Sequence, residues 1–550
     1  MRLLSKCFFL LVSHFFIVQL WAQKQPSDTL NNKSTGTIIT IESADRYNFR
    51  QLDSTQLVSL GGNAFVQQGK TKFYADSIVL NQQLNMLEAF GKIHINDADS
   101  IHTYASYLKY LGKEKKAYLN KDVKLTDGKG ILTTQELTYD VATKIGTYTN
   151  GGKVVNGKTV LTSTEGYYYG ETKDVYFKKK VVMISPDTKV LTDTLLYNTT
   201  SQIATFVVPT TIYNGKRTIK TKDGFYDIKQ QKAQLGKRSV IDDSTYTFVS
   251  DDAIIDDKSG LSQYHGNAVY RSKDSLNGYD LIANDIKINK KTNSFLATEK
   301  PILLIKNNRD TTFIAADTLF SSKLIELTKT RSVPTLPYDS LTQQNKNAVK
   351  KQGKDSANDR FFEAYYHVKI FSDSLQATCD SMFYSLADST FRLFKQPIVW
   401  SQDNQITGDT MYLYLANKKP LRLFVFENAM AIQKIDEPYF NQVKSTILNA
   451  YFKDGQMHFI RAKGSAESVY YGVDEKKQYA AVNKSTCDII DIYFEKTKND
   501  NSKAQKIVLR SNVVGTAYPM RRVNHQELRL RKFQWHEAVR PKSKFEILSN

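Results

Sequence analysis

A chain of 550 residues with a formal charge of +20, 12% aromatic residues and only 11 prolines is long enough for several domains or one long β-rich repeat array. Its three cysteines are too few for a disulfide scaffold, and its histidines keep no zinc-type spacing with one another or with cysteine. It has no Gly-x-Ser-x-Gly elbow and no phosphate-binding glycine loop, so motifs and composition point away from an enzyme, a metal protein or a cofactor-dependent protein.

Residues 1–22 read as a secretory signal. Arg2 and Lys6 supply a positive start, Cys7 to Leu20 an apolar run, and Leu20-Trp21-Ala22 before Gln23 a small-residue cleavage site. The run contains Ser13 and His14 and falls short of the roughly 20 residues of a spanning helix. Export to the cell envelope is expected. Nucleic acid is then an improbable partner despite the charge, and the spread lysines suit either solubility or anionic lipid headgroups. After cleavage Cys379 and Cys487 remain, as two buried thiols or one bridge.

A short pattern then recurs: a polar residue, usually Asp, followed by alternating apolar residues. Its anchors are Asp76, Ser106, Gln135, Glu165, Asp193, Asp223, Asp252, Asn284, Asp317, Asp380 and Asp409. They stand 28 to 33 residues apart, except for one gap of 63 that spans a polar insertion. Each anchor is expected to begin a strand, with Asp193, Leu195 and Tyr197 on one face. A polar turn and a second apolar segment follow, such as Ala204-Thr205-Phe206-Val207-Val208. Asn156-Gly157, Asn214-Gly215, Asp127-Gly128 and Asp454-Gly455 mark hairpins. A strand-turn-strand unit of about 30 residues cannot bury its own apolar face, so neighbours must stack. Tyr167-Tyr168-Tyr169 reads as a strand covered on both faces, and helix signals are confined to short irregular pieces at Ser485 to Phe494 and Tyr518 to Val523. The polar stretch 336–360 divides an N-terminal array, 37–335, from a C-terminal segment, 361–550.

Within this array Gly62-Asn63-Ala64-Phe65-Val66, then Gly69 to Asp76 ending in Ala75-Asp76, then Leu87-Glu88-Ala89-Phe90-Gly91-Lys92-Ile93 resemble the OstA-like (LptA-like) repeat of lipopolysaccharide transport. Gly266-Asn267-Ala268-Val269 echoes it, and Glu427-Asn428-Ala429-Met430 does so with Glu in place of the first Gly. Gly464 to Tyr471, Val482 to Cys487, Phe533-Gln534-Trp535 and Arg540 to Lys544 are similar to long members of that family without an outer-membrane barrel. The resemblance implies an all-β fold: an elongated antiparallel β-jellyroll, or β-taco, whose apolar groove holds acyl chains. It also implies a periplasmic protein of outer-membrane assembly, with lipopolysaccharide or lipid A as cargo and other proteins of this fold as partners by strand-edge pairing. The edge near Ile38 to Ile41 is the expected contact.

On this reading the groove candidates are Ile78, Leu80, Leu108, Leu137, Leu195, Phe225, Met382 and Met411, which serve equally well as plain core. Lys178, Lys179, Lys180, Lys237 and Arg238 are the phosphate-contact candidates at the groove mouth, against a role as solvated edge lysines. The recurring Asp reads as a turn or edge residue that caps backbone N–H groups rather than as a metal ligand. Two rivals stand beside the carrier: a structural or adhesive envelope repeat protein without cargo, and a parallel β-helix enzyme whose Asp row cleaves polysaccharide.

Overall fold

The computed structural model describes residues 37–52, 55–276, 278–306, 311–333, 341, 359–416, 419–474, 478–496 and 502–548. The expected signal segment and most of the 336–360 stretch lie outside them. Among the described residues forty strands form one sheet, and the only α-helical turns are Leu324–Leu327 and Lys544–Leu548. The strand pairs are antiparallel from the first repeat to the last. That removes the parallel β-helix on which a carboxylate row would depend.

The sheet is folded along its length. Thr55–Gln68 pairs through its first half with Arg46–Leu52 and through its second with Thr40–Ser43. Asp174–Ser185 likewise pairs with Glu165–Tyr169 and then with Thr159–Ser163. Each long strand thus crosses a fold line, and its halves belong to two facing walls: a first wall beginning with Arg46–Leu52 and a second beginning with Thr40–Ser43. Hairpin turns lie along the opposite, open rim. Asn156-Gly157 and Asn214-Gly215 form such turns, with Gly157 and Gly215 at positive φ and Asn156 opposite Thr159, Asn214 opposite Arg217.

The fold line has a repeating chemistry. Pairing skips two residues between Gly61 and Ala64, Phe90 and Ile93, Lys178 and Val181, His265 and Ala268, and Lys463 and Ala466. The skipped residues adopt left-handed φ: 75° and 45° for Gly62-Asn63, 71° and 44° for Gly266-Asn267. Gly and Asn reach that region at least cost, which explains the Gly-Asn of the repeat. An Asp on the neighbouring strand then fixes the corner. Asp45, Asp251, Asp409 and Asp488 accept the side-chain amides of Asn63, Asn267, Asn428 and Asn512 at 2.7–3.0 Å. Their own backbone N–H groups donate to the carbonyls of Gly62, Gly266, Glu427 and Ser511. Of the recurring anchors, Asp409 is such a corner residue, and Asp223, Asp317 and Asp380 pair there with the side chains of Lys237, His367 and Lys395, where the sequence pattern predicts caps on backbone N–H groups.

Corners also correct the strand boundaries. Asp76, Asp193 and Asp380 lie in mid-strand, within Thr71–Asn81, Thr188–Asn198 and Gln376–Ser385. Inward positions shift parity there: Thr71, Phe73 and Ala75 before the corner, Ile78 and Leu80 after it. Asp193 is consequently exposed while Leu195 and Tyr197 point inward.

Between the walls one apolar core runs from Ile39 to Ile492. The sheet passes the polar stretch without a break, because Thr318–Ser322 pairs with residues 361–365 and Thr312–Ala315 with residues 369–371. Strands then lengthen to 15–18 residues between Lys419 and Lys496. Ser485 to Phe494 belongs to the last of these, so the short irregular piece expected there is strand: Ile490 and Ile492 alternate into the core. Tyr518 is the penultimate residue of the strand Val514–Pro519, and a 3-10 turn at Met520–Arg522 follows.

Beyond that turn the chain doubles back over the outer face of the second wall. Leu528, Leu530, Phe533 and Trp535 pack on Met430, Ile432, Phe440, Val469, Tyr471 and Val482. Gln442 accepts the Leu530 N–H at 2.8 Å. Gln405 donates to the Gln534 carbonyl at 2.8 Å and accepts the His536 N–H at 2.7 Å. Arg540 donates twice to Gln376, and Ile547 seats against Ile302 and Ala315.

Candidate functional site

No cluster of three or more metal-ligating side chains occurs among the described residues. The distinctive environment is the interior between the walls together with its open rim.

The interior is built from alternate residues of both walls. Ile78, Leu80, Leu108, Leu137, Leu195, Met382 and Met411 are each at most 2% exposed and share the single core. Phe225 is the exception. Its cross-strand neighbours are Thr205 and Gln234 on the outer face, while Tyr226 takes the inward place opposite Ala204 and Ala233. The corner at Gly224 shifts the register by one residue and turns Phe225 outward. The interior side chains pack wall against wall. At the C-terminal end, where Ile460, Ile492 and Phe494 face Val443, Ser468 and Tyr470, a small cavity of about 30 Å³ remains, enough for water but not for an acyl chain.

Polar side chains tie the rims of the two walls together. Ile39 N–H donates to the Asn85 side chain at 3.1 Å, and Gln68 donates to the Gly112 carbonyl at 3.1 Å while accepting the Tyr110 hydroxyl. Tyr139 donates to Asp97 at 2.7 Å, and Thr71 donates to the other carboxylate oxygen at 3.0 Å. Asn156 donates to the Thr199 carbonyl at 2.6 Å, and the Thr199 hydroxyl reaches Asp127 at 3.1 Å. Farther on, Arg217 pairs with Asp257 at 2.9 Å. Burial would raise the Asp127 carboxyl, but the Thr199 hydroxyl and the N–H groups of Gly130 and Lys129, which bond it, together with the nearby Tyr168 hydroxyl, which does not reach bonding geometry, hold it below the usual range. Burial pushes the rim tyrosine hydroxyls the other way; Tyr197 stands at about 12.

The basic candidates do not gather at this rim. Lys179-Lys180 and Lys237-Arg238 are left-handed corner pairs, on the folded edge. Lys179 pairs with Glu165, Lys237 with Asp223 and Arg238 with Asp251. Lys178 lies over the rings of Tyr167 and Tyr176 on the outer face. Their clustering in sequence reflects two residues at one bend, which places them on the folded edge and away from the open rim. In the Tyr167-Tyr168-Tyr169 run only Tyr168 is buried. Cys379 and Cys487 are both free and buried. His94 and His102 hydrogen-bond to each other at 3.0 Å on the outer second wall, in a ladder with Tyr74 and Tyr104.

What sequence reasoning missed is the rim. Tyr110, Tyr139, Tyr168, Tyr197 and Tyr226 recur every 29 residues, a signal as regular as the anchors themselves.

Residues 36–193 match the family model of OstA-like protein, and residues 147–241 match that of lipopolysaccharide-assembly, LptC-related. No curated protein matches the chain.

Proposed function

We propose that this chain, whose residues 36–193 and 147–241 match the OstA-like and lipopolysaccharide-assembly, LptC-related family models, is a periplasmic carrier that contributes to outer-membrane assembly by holding acyl chains between its walls. The observation that supports this is the interior itself: one apolar core, closed by covalent continuity on the folded edge and only by side-chain bonds on the other. About ten methylenes moved out of water gain roughly 8 kcal/mol. Opposing that, each rim hydrogen bond opened costs about 1 kcal/mol, and core contacts are exchanged for chain contacts. Opening is thus affordable for a lipid and unfavourable without one. Lipopolysaccharide or lipid A is the cargo, and no step of the carriage requires catalysis.

End-to-end partnership with proteins of the same fold is supported by the array's ends. Thr40–Ser43 and Arg46–Leu52 pair on one side only, and the inward-facing Tyr47 and Phe49 are left exposed there. Ser502–Arg510 and Val514–Pro519 are the corresponding edges at the other end. Among the described residues no helix is long and apolar enough to cross a membrane.

A photoreactive residue placed at Leu195 or Met382 tests the carrier in living cells, with outward-facing Phe225 as the control. Crosslinks to lipid A from the two interior positions and not from position 225 are expected. Equal labelling at all three, or none, defeats the proposal. The wall-against-wall packing favours one second reading, a structural envelope repeat protein without cargo. Mass spectrometry of the gently purified protein separates the two, since the structural reading requires it to be lipid-free.

A further inference from the structure

The five tyrosines spaced by 29 residues occupy equivalent places. Each is the penultimate residue of a strand returning to the rim of the first wall: Ile101–Leu111, Ile131–Asp140, Glu165–Tyr169, Thr188–Asn198 and Asp223–Asp227. Across the seam stand polar residues of the second wall, Gln68, Asp97, Asp127, Thr159 and Thr188. Tyr110 and Tyr139 close hydrogen bonds there. Tyr168 and Tyr197 do not. They are 2% and 0% exposed, and although Asp127 and Thr159 lie nearby, neither hydroxyl makes a hydrogen bond. Thr103, wholly buried on the second wall, has an orphan hydroxyl as well.

A buried hydroxyl without a partner is costly and rare in native proteins. Phenylalanine would fill the same space at both positions without that cost. A tyrosine here serves something that the closed form does not contain. The place is informative too: below the two rings lies the apolar core, above them the polar rim. An amphiphile seated between the walls has its own boundary at this level, where acyl carbonyls and amides join the polar head. A tyrosine hydroxyl donates and accepts, so it suits that junction.

We infer that Tyr168 and Tyr197 are ligand-recognising residues, whose hydroxyls bond the carbonyl and amide groups at the head–chain junction of an acylated, sugar-headed amphiphile. The inference rests on the carrier reading above and adds the register of the cargo to it. The head lies at the rim near strands Glu165–Tyr169 and Thr188–Asn198, with its chains inward.

The test uses the full chain and the substitutions Tyr168→Phe, Tyr197→Phe and both together, with two probes. One is purified lipid A. The other is an ether-linked alkyl glycoside, which has a sugar head and a chain but no junction carbonyl. Each substitution is expected to weaken lipid A binding by roughly threefold to tenfold and to leave the ether probe unchanged. The melting temperature should stay level or rise, because an orphan hydroxyl has been removed. Unaltered lipid A affinity, an equal loss for both probes, or a lowered melting temperature overturns the inference while the carrier reading stands. If the unsubstituted protein binds neither probe, both fall.

Discussion

Tyr139→Phe removes one oxygen and keeps the ring. Its hydroxyl donates to Asp97 at 2.7 Å, and the remaining carboxylate oxygen is held by Thr71. Asp97 is 4% exposed, so the oxygen freed by the substitution has no ready access to water. A hydrogen bond to a charged acceptor is worth about 1.5–3 kcal/mol, and stranding that acceptor puts the loss toward the upper figure. In a stacked array a defect is felt by neighbouring units and not by distant ones. Amide hydrogen exchange is therefore the right assay, because it reads opening segment by segment. Amides around residues 97–103 and 139–146 should exchange roughly tenfold to a hundredfold faster, while those of 419–496 keep their rates. Unchanged exchange at the rim, or equal acceleration along the whole chain, would refute the view that this bond latches the walls locally.

Gly224 has φ +127°, and a Cβ there would sit 2.2 Å from the Gln234 carbonyl oxygen, so Gly224→Ala should cost about 3–5 kcal/mol. Gly128→Ala, at φ +82° with nothing within 4 Å, should cost only about 1–2 kcal/mol, and thermal melts compare the two. Burial pushes the Cys379 thiol up to about 12 and raises that of Cys487, so neither should react with a maleimide at pH 8 until denaturant is added; rapid native labelling would contradict this. Burial would raise the Asp257 carboxyl, but Arg217 and Lys290 outweigh it and hold it low. A depressed folded pKa gives stability that is present above the unfolded value and lost as pH falls through the folded one. Arg217→Met should thus destabilise most near neutral pH, and its difference from the unsubstituted chain should shrink as pH drops below about 4 in pH-dependent melts.

The all-β class and the thirty-residue stacking were legible because alternation and turn residues are local signals. Asn156-Gly157 and Asn214-Gly215 need nothing beyond their own chemistry to turn a hairpin. The fold line was not legible as a fold line. Its three marks, Gly62-Asn63, Ala75-Asp76 and Gly91-Lys92, lie on successive strands and become one feature only when those strands are paired. The same blindness put Asp193 and Leu195 on one face and Phe225 inside, because a corner displaces the alternation by one residue in a way that no count along the chain reveals. The lysine clusters misled for a related reason: adjacent residues at a left-handed bend point apart and pair with different strands. The tyrosines at the rim carried a visible 29-residue interval, but their role depends on what faces them across the seam, which is a property of the closed shape.

The returning tail alters how this molecule comes apart. A linear array can fray one unit at a time from either end, since each strand leans only on its neighbours. The tail stitches Gln442, Gln405, Gln376 and Ile302 to partners 88 to 245 positions away along the polypeptide. Unzipping any strand of the second wall from Ile302 onward also means peeling those stitches. The C-terminal half is therefore expected to melt as a block, and the N-terminal half to keep the gradual, unit-by-unit loosening of a chain of weak links.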